Sequence, residues 1–551
     1  MSNGPGSQPP HSPAPGPLPL RRPGPGPSPA HHPQPVRQPA LDDDHTPVLV
    51  GCGQITQREA DPRAALSPLD LMAQAARMAA DDSGAGPPLL QALDSIVVIR
   101  QFADTSPRFA SPFGRCANLP LSLARRIGAA PPRQRVYTHP GGNMPQWCIN
   151  RLAQAVARGE LGAALVAGAE ALATQKAAQR ANIPLDWADD PGGSFDAWGV
   201  DRRGWSDVEA LHSARAATTM YPLFENAIRG HRGLGIDEHQ TRMGHLLAGF
   251  ATVAAANPLA DRRAGYTARQ IAQVGPGNPM IAFPYTRLMS ANAYIDQGAA
   301  LILTSVARAR QLGIAPDRWV FLHGCADAHE PWHVSHRANF HSAPAMDAVF
   351  AQAFAMAGLT LADIGPIDVY SCFASAVEVA CEALGLAPDD PRGLTVTGGL
   401  PYFGGPGNNY VTHGIAEMML RLRAAPGQFG LVTANGNYLT KHSAGIYSTQ
   451  RPAFAFAPED PALLQAALDA RPTPPFAPLA DGRATVETYT VTHDKQGANG
   501  AVVIGRLGDG TRFIANTPPD AGLWQAMQQE DFLGRSGRVG HDGQRNVFMP
   551  A

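Results

Sequence analysis

Short apolar segments typical of buried strands alternate with helical patterns along most of the chain. Strand patterns occur at 46–53, 95–99 and 161–169, and apolar residues at helical spacing begin after Pro68 and again after Asn143. Helices that alternate with strands pack onto the faces of a sheet and bury its apolar side chains. The alternation therefore predicts a layered α/β fold.

The second half of the chain repeats the pattern of the first half. The strand and Gly-Cys turn at 319–325 resemble 48–52, and the segment 430–437 resembles 164–170 in position and character. Two similar halves predict an internally duplicated core. Residues 180–280 interrupt the pattern with Asp, Arg, Gly and aromatic residues, which predicts an insertion, or lid, over one face of the core.

The predicted organisation has five parts. Residues 1–44 are mostly Pro, Gly, Ser, Ala, His and Gln, a composition that buries too little apolar surface to offset the entropy of ordering, so we expect a disordered tail. The two halves of the core should cover 45–310 and 311–455, and a linker should cover 456–483. Strand patterns with glycine turns at 484–551 predict a small, OB-like β-barrel domain.

Charge and composition argue against several functional classes. The 551 residues carry a formal net charge of -2, so electrostatics give no reason to expect nucleic acid as a partner. No apolar run reaches the roughly 18 residues of a membrane span, and we expect a cytoplasmic protein. The six cysteines have no C-x-x-C spacing, and His329, His333 and His336 lack a zinc-site pattern, so no metal is expected.

Four motifs occur in a fixed order between residues 46 and 455. They are the Gly-rich turn and helix at 139–159 with 166–170, the segments 289–292 and 296–300, Tyr370-Ser371-Cys372-Phe373, and 397–399 leading to Gly404-Gly405-Pro406-Gly407. Their order and spacing resemble those of the thiolase family. The resemblance is closer to bacterial thiolase-like proteins that carry an extra C-terminal β domain, which 484–551 resemble.

The resemblance implies a fold, a ligand class and a chemistry. The core would be a duplicated thiolase-type fold with α/β/α/β/α layers. Thiolases make or break a carbon–carbon bond between acyl groups carried on coenzyme A in lipid metabolism. The implied activity is therefore that of an acyltransferase similar to acetyl-CoA acetyltransferases, the implied ligand is an acyl-CoA or related thioester, and no covalently bound cofactor is expected. A monomer or homodimer is implied, and the C-terminal domain is a possible surface for a protein partner.

The sequence departs from the family pattern at the positions of the catalytic side chains. The thiolase nucleophile is a cysteine at the start of the buried helix, where the helix dipole favours a thiolate. The resemblance places this position at Gly142, which has no side chain to form an acyl-enzyme. The catalytic histidine position falls on Gly405, the second cysteine at or next to Asn435, and the oxygen-binding Asn or His on Tyr370. Ordinary thiolase condensation and cleavage are therefore not expected.

Polar residues surround these substituted positions. Candidate catalytic groups are Cys372, His413 and His442. Candidates for a thioester pocket are His139, Gly141, Gly142, Asn143, Tyr370, Gly404, Gly405, Asn408, Asn409, Asn435 and Lys441. Such amide, imidazole, amine and thiol groups suit hydrolysis, acyl transfer or thioester binding. Structural roles are the alternative: a buried inert thiol, a capping histidine, or asparagines that favour turns.

Two functional classes stay open at this point. The first is an enzyme of the acyltransferase superfamily that acts on thioesters by altered chemistry. The second is a non-catalytic thioester-binding or scaffold protein. Turnover of an acyl-CoA would favour the first class, and binding without turnover would favour the second.

Overall fold

The computed structural model describes residue 1 and residues 44–551, so nearly all of the expected tail lies outside the described residues. The strands are β1 (Pro47–Thr56), β2 (Ser95–Val98), β3 (Gln134–Thr138), β4 (Ala163–Ala171), β5 (Asp196–Trp198), β6 (Met280–Ala282), β7 (Tyr285–Thr286), β8 (Asp296–Ser305), β9 (Val320–His329), β10 (Ile364–Asp368), β11 (Phe429–Gly436), β12 (Lys441–Ser448), β13 (Gly482–Asp494), β14 (Gly497–Leu507), β15 (Arg512–Asn516), β16 (Ser536–His541) and β17 (Asn546–Pro550).

The helices of the core and of the expected insertion precede those of the second half. They are α1 (Pro68–Asp82), α2 (Pro87–Gln91), α3 (Leu119–Ile127), α4 (Met144–Ala157), α5 (Leu172–Ala181), α6 (Asp207–Leu211), α7 (Ala217–His231), α8 (Ile236–Ala256), α9 (Ala268–Ala272), α10 (Val306–Gln311), α11 (Pro344–Ala357), α12 (Ala374–Leu384), α13 (Gly399–Tyr402), α14 (Tyr410–Ala424), α15 (Pro461–Asp469) and α16 (Ala521–Gln529). In the part of the chain from 44 to 551, no helix is both long and apolar enough to span a membrane.

The larger sheet has ten strands in the order β10-β11-β12-β9-β1-β8-β4-β2-β3-β5. Its two sides correspond. At the centre β9 lies beside β1, each has an antiparallel neighbour (β12 and β8), and β11 and β4 follow. Parallel strands β10 and β2 come next on the two sides. This order confirms the duplicated core that the sequence predicts.

Helices α4 and α14 form the central layer of the core. Both contact strands of the two half-sheets, and they contact each other. Helices α1 and α3 pack on strands of the first half, and α11 packs on β9 and β12 of the second half. The layers are therefore α/β/α/β/α, as the resemblance implies. Strand β4 is buried along its whole length because helices cover both of its faces.

The Gly-Cys echo between the two halves has a steric cause. A Cβ atom on Gly51 of β1 would lie 2.0 Å from the backbone oxygen of Ala79 in α1. A Cβ on Gly324 of β9 would lie 2.1 Å from the backbone oxygen of Ala353 in α11. Glycine at these two corresponding positions lets the outer helix lie directly against the strand.

The C-terminal strands close into the small barrel that the sequence predicts. Its five strands pair in the order β13-β14-β15-β17-β16, and β16 pairs with β13 to close the ring. The hairpin of β6 and β7, which directly follows the expected insertion, extends this sheet through Thr492 of β13 and Ala282 of β6. Helix α15 lies within the expected linker, so that segment is partly ordered as a helix.

Side chains of the barrel join the core at helix α7. The hydroxyl of Thr488 donates to the backbone oxygen of Leu223 at 2.5 Å, and Asn226 Nδ2 donates to the backbone oxygen of Tyr489 at 2.8 Å. Arg512 is fully buried, pairs with Glu487 at 2.6 Å, and donates to backbone oxygens at 335, 337 and 338. The barrel is therefore fastened to the core by buried polar contacts.

Candidate functional site

The turn between β3 and α4 forms the centre of the candidate site. Gly141 donates its backbone N–H to Asn408 Oδ1 at 2.9 Å, which ties this turn to the start of α14. A Cβ atom on Gly141 would lie 2.5 Å from Lys441 Nζ and 2.7 Å from Asn143 Oδ1. Because Gly141 has no side chain, an amine and an amide oxygen approach the backbone closely.

Gly142, where the resemblance places the thiolase nucleophile, is covered from the other half of the core. A Cβ atom here would lie 2.0 Å from Tyr370 Oη and 2.6 Å from the backbone oxygen of Asn435. Tyr370 is 7% exposed, and its hydroxyl forms no hydrogen bond with any residue between 44 and 551. The phenol thus occupies the space that a side chain at position 142 would need.

Two backbone donors at the start of α4 are also unpaired. The N–H groups of Gly142 and Asn143 precede the first helical turn and make no hydrogen bond within the described part of the chain. Helix α4 has 14 residues, so its N-terminus carries a partial positive charge. Together with the Tyr370 hydroxyl, these donors suit a carbonyl or carboxylate oxygen.

The turn at Gly404–Gly405 leaves no space for a side chain at its first residue but does leave space at its second. A Cβ atom on Gly404 would lie 2.5 Å from Gln297 Oε1. A Cβ atom on Gly405, where the resemblance places the thiolase histidine, would have no neighbour closer than Leu400 at 3.5 Å. The space at Gly405, unlike that at Gly142, therefore accepts a small side chain.

Asn408 and Asn409 have structural partners. Asn408 accepts from Gly141 and donates to the backbone oxygen of Arg100 at 2.7 Å. Asn409 donates to the backbone oxygen of Gly168 at 2.7 Å and accepts from the hydroxyl of Thr412 at 2.6 Å. The two amides hold the glycine turns and strand β4 together, which leaves them little capacity to bind a ligand.

His413 and His442 are buried and each has one unpaired ring nitrogen. His413 Nδ1 lies 2.9 Å from Gln54 Oε1, and His442 Nε2 lies 3.0 Å from the backbone oxygen of Leu439. The opposite nitrogens, His413 Nε2 and His442 Nδ1, have no partner among the described residues. Burial lowers the pKa of each imidazole to about 3. Both rings are therefore neutral at physiological pH and are weak bases.

This burial predicts a loss of stability in acid that depends on His413. An unfolded imidazole binds a proton below about pH 6.5, whereas folded His413 stays neutral down to about pH 3. Between these pH values the unfolded state binds the extra proton, so stability falls as the pH falls. Denaturant unfolding of the wild type and of His413→Gln from pH 7 to 4 should differ in slope by about 1.4 kcal/mol per pH unit. Equal slopes would contradict the assignment.

Cys372 lies beside the N-terminus of α12 in an apolar setting. Burial raises the pKa of its thiol to about 12, and the hydrogen bond with Tyr221 opposes this only in part. The Tyr221 ring stacks on Phe373 with ring centroids 4.6 Å apart. A thiol with this pKa is almost fully protonated at neutral pH, which argues against a nucleophilic role.

Asn143 and Asn435 each present an unpaired amide oxygen. Asn143 Nδ2 donates to Ser443 Oγ at 3.3 Å, and Asn435 Nδ2 donates to Tyr221 Oη at 3.2 Å. Within residues 44–551 the Oδ1 atoms of both asparagines are buried without a partner. Buried polar atoms in folded proteins usually have partners, so unpaired ones next to one turn indicate a place for a ligand or water.

Lys441 is the first residue of β12, pairs with Gly436 of β11, and is 6% exposed. Its Nζ donates to the backbone oxygen of Pro140 and lies 5.8 Å from the centre of the Trp332 ring. It forms no ion pair with the residues described, and burial lowers the pKa of its amine to about 8. An amine so placed is partly neutral near physiological pH and lacks a counter-ion.

His139 lies at the outer side of the site. It is half-buried, and its Nδ1 is 3.6 Å from Asp201 Oδ1 on the exposed segment before α6. The turn between β11 and β12 follows Gly436, where a Cβ atom would lie 2.8 Å from Asn143 Oδ1, and its residues Asn437, Tyr438 and Leu439 all have φ between 51° and 58°. Three successive left-handed residues that are not glycine are costly, so the surrounding contacts must hold this turn.

Sequence reasoning missed three contributors to the site. Tyr221 belongs to α7 of the insertion, Trp332 to the loop after β9, and Gln297 to β8. Gln297 Nε2 donates to the backbone oxygen of Phe403 at 3.0 Å, beside the Gly404 turn. Tyr221 and Trp332 lie in no motif. Gln297 lies in the motif 296–300, but its contact with Phe403 spans so many residues that it has no local signal.

A separate buried cluster joins α7, α8 and α12. It is the only group in residues 44–551 with the geometry of a possible metal site: ligand atoms of Glu225, His239 and Glu378 lie within 4.8 Å of one another. His239 Nε2 lies 2.5 Å from Glu225 Oε1, and Arg232 pairs with Glu378 at 2.6 Å. Arg232 therefore already supplies positive charge to Glu378. His329, His333 and His336 belong to no such group there.

Among the solved structures, one bacterial protein matches almost the whole chain. The chain is 37% identical to a monomeric SCP2-thiolase like protein type 1 (STLP1) from Mycobacterium smegmatis, with a TM-score of 0.79. The match covers 92% of this chain and 100% of that chain. A family model described as the additional C-terminal domain of thiolase-like protein type 1 matches residues 463–544, which include four of the five barrel strands. No curated protein matches the chain.

Two more distant structures share the fold alone. An Ltp2-ChsH2(DUF35) aldolase is 20% identical, with a TM-score of 0.52 over 74% of this chain and 98% of that chain. An acetyl-CoA acetyltransferase from Syntrophomonas wolfei is 15% identical, with a TM-score of 0.51 over 74% of this chain and 99% of that chain. Both lack a counterpart to about a quarter of the chain, whereas the mycobacterial protein matches almost all of it. The chain therefore belongs to the SCP2-thiolase-like proteins of type 1, a branch of the thiolase superfamily with an additional C-terminal domain.

Proposed function

We propose that this protein binds acyl thioesters of coenzyme A in the cytoplasm, as a monomer, and acts on them without a cysteine-bound intermediate. The observation that carries the proposal is the group of unpaired donors at the start of α4: two backbone N–H groups and the Tyr370 hydroxyl. Donors aimed at one place in a water-poor site hold a thioester oxygen effectively. Membership in the thiolase superfamily supports a thioester as the ligand.

The second candidate is a thioester-binding or scaffold protein without catalysis. This candidate is favoured by the protonation states of the candidate catalytic groups at neutral pH. The thiol of Cys372 has a pKa of about 12, and the imidazoles of His413 and His442 have pKa values of about 3. No thiol–imidazole pair is found within hydrogen-bonding distance among residues 44–551, so the arrangement of an activated nucleophile is lacking there.

Calorimetric titration tests the binding proposal. Acetyl-CoA and longer acyl-CoAs should bind the purified full-length protein, and Tyr370→Phe should weaken acyl-CoA binding by about fivefold, since one neutral hydrogen bond contributes about 1 kcal/mol. The same variant should leave free coenzyme A unaffected, because that ligand has no thioester oxygen. If no acyl-CoA binds at millimolar concentration, the proposal is wrong.

An activity assay separates altered chemistry from the usual reaction. The protein should neither condense two molecules of acetyl-CoA nor cleave acetoacetyl-CoA, because Gly142 offers no nucleophile. If the protein hydrolyses a thioester or transfers its acyl group, and Tyr370→Phe slows that reaction, the result would favour an enzyme over a binding protein. Condensation that Cys372→Ala abolishes would instead identify Cys372 as a nucleophile.

A further inference from the structure

We infer that the turn at Gly141–Asn143 also binds a carboxylate, so that the thioesters this chain prefers carry a free carboxylate one or two carbons from the thioester carbonyl. The inference rests on the proposed function and names its substrate class. Malonyl and succinyl thioesters have the required spacing. The amine of Lys441 would bind the carboxylate, and the donors at Gly142 would bind the thioester oxygen.

The first argument is the missing counter-ion of Lys441. Lys441 is only 6% exposed, yet its Nζ has only the backbone oxygen of Pro140 and the distant face of Trp332 as partners in the described chain. A buried ammonium without an anion is costly, and ordering a long lysine side chain adds an entropic cost. The fold gains little from this lysine, which indicates that the anion comes from a ligand.

The second argument is the position of the amine relative to the other unpaired donors. The Nζ of Lys441 lies 2.5 Å from the place where Gly141 would carry a Cβ, and Tyr370 Oη lies 2.0 Å from the corresponding place on Gly142. Charged and neutral donors therefore stand over adjacent residues of one turn. A short acyl group with two oxygen-bearing ends matches that arrangement, whereas a plain alkyl chain would leave the amine unpaired.

The third argument is access. His139 and Pro140, which precede the turn, are half-buried, and the amine of Lys441 contacts the backbone oxygen of Pro140, so a partly exposed residue lies directly beside it. Asn143 Oδ1 is unpaired and also lies close to Gly141, at 2.7 Å from its Cβ position. An incoming carboxylate is a stronger partner than an amide oxygen for a charged donor.

Titrations with matched thioesters test the inference on the wild-type protein. Malonyl-CoA should bind at least tenfold more tightly than propionyl-CoA, or succinyl-CoA at least tenfold more tightly than butyryl-CoA. Each pair has the same number of acyl carbons and differs in the terminal carboxylate. If acetyl-CoA binds but neither dicarboxylic thioester binds more tightly than its matched monocarboxylic thioester, the inference is wrong and the proposed function still stands. Failure of every thioester to bind would overturn both.

The variant Lys441→Met tests the role of the amine. It keeps a long apolar stem, and it should reduce the preference for each dicarboxylic thioester over its matched monocarboxylic thioester to less than threefold. Circular dichroism checks that the variant is folded. If a folded variant keeps the full preference, another group binds the carboxylate and the assignment to Lys441 is wrong. If the variant does not fold, the wild-type comparison of matched thioesters still decides the inference.

Discussion

Replacing Gly142 by alanine should destabilise the protein by about 3 kcal/mol, the upper part of the range for overpacked cores. The new methyl group would lie 2.0 Å from Tyr370 Oη and 2.6 Å from the backbone oxygen of Asn435. The ring of Tyr370 is buried, and the backbone of β11 is held in the sheet, so neither moves without cost. Denaturant unfolding measures the change.

Gly405→Ala is the matched control for this experiment. It makes the same change at the other substituted position, where the nearest atom would be 3.5 Å away, so stability should stay within about 1 kcal/mol of the wild type. In a Tyr370→Ala background, Gly142→Ala should cost at least about 1 kcal/mol less, because the contact with the phenol is gone. Equal costs for the two glycines, or no coupling to Tyr370, would refute this packing. The same reasoning predicts that Gly142→Cys alone does not restore a thiolase nucleophile.

Removing the barrel, residues 478–551, should leave a core that does not fold into a soluble, cooperatively unfolding protein. Val502, Ile504 and Ile514 of the barrel belong to the same buried apolar cluster as the core. Each such side chain contributes about 1.5–3 kcal/mol when buried, a large share of the stability of an ordinary domain. Helix α7 would also lose its hydrogen bonds to β13. Solubility on expression and a thermal melt provide the measurement.

Arg512→Met is the matched point variant for the truncation. It removes a buried cation that pairs with Glu487 and leaves that carboxylate with Arg506 at 3.0 Å. We expect a folded protein that is less stable by about 3–5 kcal/mol, because a partner is lost in a buried network. A truncated core that melts near the wild-type temperature would show that the barrel is an independent accessory.

The layered core could be predicted from the sequence because its signals are local. Apolar periodicity identified β1, β4 and α4, and the Gly-Cys echo identified the duplication. That echo has a local cause, since Gly51 and Gly324 lie where an outer helix touches its strand. The closed barrel was also predictable, because short strand patterns separated by glycine turns are typical of small barrels.

The interior of the candidate site could be predicted only in part. The motifs bring Gly142, Tyr370 and Asn435 to one place, but nothing in the sequence tells that the phenol covers the glycine. Lys441 could be taken for an exposed loop residue, whereas the structure places it at the start of β12 with a buried amine. Such facts depend on contacts between segments hundreds of residues apart, where propensity and periodicity carry no information.

The hydrogen bond between Gly141 and Asn408 has an electrostatic consequence. Asn408 lies two residues before α14, and Gly141 lies three residues before α4, so the two central helices of the duplicated core begin at the same place. Each N-terminus is equivalent to roughly half a positive charge. Their fields add where water is scarce, and a net charge of -2 spread over the rest of the molecule opposes them little. Anions should therefore be drawn towards this point, and their association should slow as added salt screens the field.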